Sequence, residues 1–326
     1  MNELYPGIFC NEITLPKNPL RSLNCYLIPS DKRNLIIDTG FNQEECKNDF
    51  LSGIEELKIE MKKTDILLTH LHSDHIGLAS MAESMGAQIF AGVNEREAIL
   101  SSDSDEYWQF FYPLMKMYGL EKYGVTVEDH PGYRYRQEKL RECGSLCEGD
   151  IIQVGDYSFE VIDLPGHTFG QIGLYEQKNK LFFCGDHVLD NITPNIICWD
   201  IGKDALGEYL ASLRKIYDYE IDFLFTSHRK IIRDHQRRIN ELLAHHDERL
   251  AECESIISEI PKCSCEVAAE MKWDLKVERW TDFPKAQKWF SAGEAMAHLE
   301  HLVYTDKAER IKREDVIYYL KKSKNE

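Results

Sequence analysis

Apolar and polar positions change rhythm three times along this chain. Up to about residue 100, short apolar runs at 7–10, 24–28, 34–38, 65–69 and 88–91 read as strands, with Pro29-Ser30-Asp31 and Asp38-Thr39-Gly40 as punctuation. Residues 42–59 and 76–85 read as helices, so strands and helices alternate. Asp65-Ile66-Leu67-Leu68-Thr69 ends abruptly in polar residues, which suits a buried strand.

Residues 101–147 interrupt this pattern with Tyr107, Trp108, Phe110, Phe111, Tyr112, Tyr118, Tyr123, Tyr133 and Tyr135, followed by a charged run from Arg134 to Arg141. The segment is expected to be a helical aromatic insertion, either a lid or an extra layer packed on the core. Strands resume at 151–154, 158–162, 180–184 and 221–225, with helical spacing over 204–217.

From about residue 236 the texture is helical. Ile239, Leu242, Leu243, Leu250, Ile256 and Ile257 form one apolar face that Pro261 ends, and a second helix follows near 264–272. Ser291-Ala292-Gly293-Glu294 has the form of a capping box opening a third helix, and the tail 308–313 with 316–320 has the form of a hairpin. The expected division is 1–235 and 236–326.

Composition narrows the function classes. The chain has 326 residues, 43% hydrophobic and 11% aromatic, which suits a globular protein. With 39 basic against 56 acidic residues, its net charge of −17 weighs against gripping nucleic-acid backbone or a lipid surface through positive charge. After residue 240 there are 14 basic and 18 acidic residues, so the helical part is acidic too. No apolar run approaches the roughly 18 residues of a membrane span. The N-terminus lacks signal-peptide character, and the ten cysteines are scattered, so the expected location is cytoplasmic. Cys143/Cys147 and Cys263/Cys265 are close pairs without a second pair at zinc-finger spacing.

One motif dominates the chemistry: Thr69-His70-Leu71-His72-Ser73-Asp74-His75, placed where a buried strand stops. Extended, His70 and His72 project to one side, and a helix starting at Asp74 and His75 turns those two towards a neighbouring point. Imidazole and carboxylate are ligands for borderline cations such as zinc. Buried together without a partner they would be costly. Three further strand ends finish in ligand-type residues: His167 after 158–162, Asp186 after 180–184 and His228 after 221–225. Strand ends are where sites collect in layered αβ folds.

These residues resemble the metallo-β-lactamase fold superfamily, whose signature is H-x-H-x-D-H followed by His, Asp and His. The resemblance covers about 4–235 and fills all seven positions. It implies an α/β (α+β) fold: a four-layer αββα sandwich with the metals at one edge. It implies two divalent cations, zinc first and iron or manganese as alternatives. His70, His72 and His167 would hold one, Asp74, His75 and His228 the other, and Asp186 would bridge. Asp38 matches the D-T-G that supports the ligands from behind. The implied chemistry is hydrolysis by a hydroxide shared between the cations, with Asp74 also orienting it or relaying its proton.

The part after 235 resembles the small winged-helix-like appendage of one hydrolase subgroup, here a packing or homodimer module. Asp186 and the lack of an export signal argue against drug hydrolysis. The aromatic segment suits a thioester, lactone or similar small acyl substrate, the favoured reading. A phosphodiesterase or endoribonuclease is the alternative, and a non-catalytic metal-binding module would require a missing ligand. Candidate pocket residues are Tyr107, Trp108, Phe111, Thr193, Asn195 and Arg229, the last facing either an anionic substrate or solvent. His298 and His301, three apart, are either metal ligands or a helix surface beside the core.

Overall fold

A computed structural model describes residues 1–277 and 279–322. One compact unit comprises 1–107, 135–194 and 212–239; a second comprises 108–134, 195–211 and the chain from Asn240 on. The division therefore does not follow a single cut near 235.

The first unit holds two sheets. Strands β1 (Asn2–Tyr5), β2 (Ile8–Thr14), β3 (Ser22–Ile28), β4 (Asn34–Ile37), β5 (Thr64–Leu68), β6 (Gln88–Gly92) and β7 (Gly144–Leu146) lie side by side in that order. The second sheet runs β12 (Phe223–Phe225), β11 (Leu181–Phe183), β10 (Ile172–Glu176), β9 (Tyr157–Asp163) and β8 (Ile151–Val154). β4 to β7 are parallel, as are β11 and β12. Parallel strands end on the same edge, so the loops after β4 and β5, and those after β11 and β12, emerge together.

The two sheets share one core. Ile8, Tyr26, Ile28, Leu35, Ile37 and Leu67 of the first pack with Phe159, Val161, Leu174, Leu181, Phe183 and Phe225 of the second. Tyr26 meets Phe183 edge-on at 5.0 Å between ring centroids, and Phe183 stacks on Phe225 at 4.5 Å. Each such buried side chain contributes about 1.5–3 kcal/mol. Helices α1 (Glu44–Glu56), α2 (Ser73–Ile76), α3 (Ala79–Ser84) and α4 (Arg96–Ser101) follow in the same unit.

Several expectations are corrected. The helix read over 76–85 breaks into α2 and α3 at Gly77, where a Cβ would lie 2.5 Å from Asn42 N and 2.6 Å from Gly40 O. Close approach to that loop, not helical continuity, decides this stretch. The segment 101–147 is not helical throughout: α5 (Asp105–Gln109), α6 (Phe111–Met117) and α7 (Pro131–Arg134) give way to β7. β10 is absent from the sequence reading because Ile172-Gly173-Leu174-Tyr175-Glu176 ends in a glutamate that is itself buried and caps the next turn, accepting from Asn179 N at 2.7 Å.

The second unit contains part of α8 (Ala205–Tyr217), most of α9 (His235–Ile256), β13 (Lys262–Cys263), α10 (Ser264–Glu270), α11 (Lys285–Tyr304), β14 (Ala308–Arg313) and β15 (Val316–Lys321). Helix, strand, two helices and a hairpin, with β15 between β13 and β14, is winged-helix order. α9 stops at Ile256, five residues before Pro261. α11 starts at Lys285 after Pro284, so Ser291–Glu294 lies inside it and caps nothing. Ser291 and Gly293 are small because that face is packed: a Cβ on Gly293 would lie 2.8 Å from Ile197 Cγ2.

Candidate metal centre

The site is assembled from the loops that follow β4, β5, β9, β11 and β12, all in the first unit. β5 ends at Leu68; His70 follows, His72 precedes the first turn of α2, and Asp74 and His75 lie within that turn. His167, Asp186 and His228 lie in the loops after β9, β11 and β12. Backbone hydrogen bonds stitch these loops together: Ile172 N to Thr69 O at 2.9 Å, Ser227 N to Gly185 O at 3.1 Å and Thr39 N to His75 O at 2.8 Å.

Five imidazoles and two carboxylates converge. They form three overlapping groups, His70/His72/His167, His70/His75/Asp186 and Asp74/His75/His228, with donor atoms within 4.8 Å in each. In the first, His72 Nδ1 lies 3.0 Å from both His70 Nε2 and His167 Nε2. Burial, and then the charge of neighbouring imidazoles, pushes the His70 and His72 pKa values well below the ordinary range. Neutral rings with nitrogens crowded on one point suit a cation at that point.

In the second set the ring tautomers are dictated from behind. His75 Nδ1 lies 2.7 Å from Asp38 Oδ2, and His228 Nδ1 lies 2.7 Å from the Ser22 carbonyl oxygen. Each Nδ1–H therefore donates away from the site and leaves Nε2 facing inward. Neither Nε2, nor Asp186 Oδ1, has a hydrogen-bond partner among the described residues. Asp186 Oδ2 lies 3.8 Å from His167 Nε2, 3.6 Å from His75 Nε2 and 3.5 Å from His228 Nε2, so one oxygen serves both sets. Buried polar atoms left orphaned in this way are costly, and a divalent cation satisfies them. Burial pushes the Asp74 carboxyl up, but His75 and His228 outweigh it and hold it at about 2.

Asp38 sits in the left-handed region, φ 61°, just after β4. Its Oδ1 accepts from Thr69 N at 2.8 Å and its Oδ2 from Thr69 Oγ1 at 2.8 Å. Sequence reasoning missed Thr69 as a partner, and it missed Glu95. That carboxylate is buried at the start of α4, accepting from Leu71 N at 2.7 Å and Gly170 N at 2.9 Å. A glutamate in Asn94-Glu95-Arg96-Glu97 carries no local mark of burial.

The pocket candidates are divided between the two units. Tyr107 is half-buried in the first unit, its hydroxyl pKa raised by burial and then by the Glu95 charge. Thr193 is half-buried in the first unit, and Arg229 (φ 67°) donates to the Pro19 carbonyl at 2.9 Å. Trp108, Phe111 and Asn195 belong to the second unit. There Trp108 stacks on Phe111 at 4.8 Å and tilts against His130 at 5.6 Å, while Asn195 donates to Glu294 at 2.8 Å. His298 is no surface residue: fully buried, its Nε2 lies 3.1 Å from His246 Nδ1. His301 lies 3.0 Å from the Asp204 carboxylate.

Residues 19–228 match the protein family described as the Metallo-beta-lactamase superfamily. The chain is 34% identical over 165 residues to a hydroxyacylglutathione hydrolase of Haemophilus influenzae, covering 50% of this chain and 65% of that protein. It is 28% identical over 204 residues to an acyl-coenzyme A thioesterase of Gallus gallus, covering 60% of this chain and 66% of that protein. It thus spans just under two thirds of both relatives. A crystal structure of a metallo-beta-lactamase family protein from Thermus thermophilus superposes with a TM-score of 0.84 at 24% identity, covering 98% of this chain and 100% of that one. That likeness is one of fold.

Proposed function

The chain belongs to the metallo-beta-lactamase superfamily, and from that premise we propose that it is a metal-dependent hydrolase that cleaves the thioester, or a related acyl ester, of a small molecule. The observation that carries the reading is the full set of seven ligand-type side chains meeting at one place, with Asp186 Oδ2 within 3.8 Å of both histidine sets. His70, His72 and His167 would hold one divalent cation, and Asp74, His75 and His228 a second, with Asp186 between them. Zinc suits this mixture of imidazole and carboxylate. Bound there, such cations supply Lewis acidity, making water acidic enough to attack near neutral pH and offsetting the charge that develops on the attacked carbonyl oxygen.

The chain's own residues do the rest. Asp38 and the Ser22 carbonyl hold the His75 and His228 rings so that Nε2 points inward, which removes the need to reorganise during reaction. Asp74 turns Oδ2 to His228 Nε2 at 3.3 Å, and its Oδ1 takes the proton of the attacking water. A thiolate, whose conjugate acid has a pKa near 8.5, departs without needing a proton from the protein. One carboxylate therefore suffices for a thioester, whereas an amine leaving group would require a separate acid. Two apolar side chains stand open beside the His167 loop: Phe169, 40% exposed, and Val93, 45% exposed. They offer an acyl group a surface to lie on. The names of the two relatives fit the same bond type.

The test is steady-state kinetics of metal-loaded protein on matched panels of glutathione and coenzyme A thioesters, lactones and phosphodiesters. Turnover of a thioester with loss on chelation is expected. Preference for the phosphodiester, or silence across all acyl substrates, would sink the reading.

A further inference from the structure

Glu95 is 1% exposed, an unusual place for a carboxylate. Its backbone is anchored where β6 passes into α4: its N–H donates to Gly92 O at 3.0 Å and its carbonyl accepts from Ile99 N at 2.9 Å. Its side chain turns inward and divides its two oxygens between two loops. Oε2 accepts from Leu71 N at 2.7 Å, and Leu71 separates His70 from His72. Oε1 accepts from Gly170 N at 2.9 Å, three residues beyond His167. The approach leaves no slack: a Cβ on Gly170 would lie 2.6 Å from Asn94 Cβ and 2.9 Å from Glu95 Cγ.

We propose that Glu95 is the positioning residue of the three-imidazole set, clamping the loop of His70 and His72 to the loop of His167 so that the three ring nitrogens converge. The inference rests on these three histidines being ligands; it does not depend on the substrate class. The three rings come from two loops far apart in sequence, and a metal tolerates only a few tenths of an ångström in ligand distance. A buried carboxyl group receiving one N–H from each loop is a short tie between them. The tie is selective. His75 is held by Asp38 and His228 by the Ser22 carbonyl, so the second set is anchored elsewhere. In Glu95→Gln one acceptor oxygen becomes an NH2 group, a donor facing a donor, and one loop loses its anchor.

The experiment compares wild type, Glu95→Gln and His72→Ala, each stripped of metal and titrated with cobalt(II) and with zinc(II) against a competing chelator. The visible spectrum of bound cobalt reports ligand geometry. For Glu95→Gln, affinity at one of the two sites should fall by about ten- to a hundredfold, with an altered cobalt spectrum, while the other changes by less than about threefold. Wild-type affinities and spectrum at both sites would overturn the proposal, and so would equal weakening of both, which is what a merely structural role predicts. Should Glu95→Gln fail to fold, hydrogen exchange on metal-free wild type decides. The Leu71 and Gly170 amides should rank among the slowest to exchange, and rapid exchange of either overturns the clamp. Full metal content in His72→Ala would overturn the ligand assignment and the proposal with it. None of these readouts involves turnover, so the substrate assignment stands or falls separately.

Discussion

The carboxylate of Asp38 lies 2.7 Å from His75 Nδ1, with both side chains wholly out of contact with water. The same carboxylate accepts from the backbone and hydroxyl of Thr69 and lies 3.3 Å from Ser227 Oγ. One buried anion thus ties the ends of β4 and β5, the short helix α2 and the loop after β12, the places from which most ligand-type residues project. Replacing it with alanine in the metal-free protein leaves His75 without its partner, and loss of one member of a buried pair costs about 3–5 kcal/mol. Urea unfolding of chelated Asp38→Ala should show that loss. In Asp38→Asn metal affinity should fall about ten- to a hundredfold while the fold survives.

A second prediction concerns alkaline pH. In the metal-free chain burial opposes charge on His228, but Asp186 and Asp74 outweigh it and raise its pKa from 6.5 to about 10. A histidine raised on folding contributes stability that is complete below the unfolded value and is lost as pH climbs towards the folded one. The urea midpoint of chelated protein should therefore fall between pH 6.5 and pH 8. Metal-loaded protein, whose ligand nitrogens carry no exchangeable proton, should not show the fall. Parallel slopes for the two forms would contradict the assignment.

Acid should act on the second unit through His130. Burial among Trp108, Phe111 and Trp289 lowers its pKa from 6.5 to about 4. The folded state resists protonation, so its contribution is complete above pH 6.5 and is lost as pH falls to about 4. The shift corresponds to roughly 3 kcal/mol. His130→Phe sacrifices the hydrogen bond from Gly132 N at neutral pH. It should nonetheless lose less stability than wild type between pH 7 and pH 4.5 in chemical denaturation.

Gly77 offers a probe of site geometry without touching a ligand. Its missing Cβ would meet Asn42 N, Gly40 O and Ser73 O, all between 2.5 and 2.7 Å and all backbone. Gly77→Ala should cost about 1–3 kcal/mol by overpacking. It should also displace α2, which carries Asp74 and His75, so that metal affinity drops together with the thermal midpoint. Unchanged affinity at reduced stability would show that α2 keeps its place and that the strain is absorbed by the 40–42 loop instead.

Much of this site is legible in the chain because its chemistry is local. His70, His72, Asp74 and His75 fall within six positions at the end of an apolar run, and His167, Asp186 and His228 each follow an apolar run of their own. Period and residue type are enough to find them. The start of α11 is not legible, for the complementary reason: Ser291-Ala292-Gly293-Glu294 imitates a cap, but packing of its small residues keeps it mid-helix.

Residue type and spacing are enough to show the donor types, the strand ends that present them and the C-terminal hairpin, whereas the strand β13 that completes the winged-helix order came only from the fold. Only tertiary structure decided that Glu95, and not its neighbour Glu97, lies buried between two loops, that Asp186 Oδ2 reaches both histidine sets, and that His298 pairs with His246 inside a core. The physical reason is the same in each case. Identity and spacing are properties of neighbouring residues, whereas desolvation and the direction in which a lone pair points depend on groups that are distant in the chain.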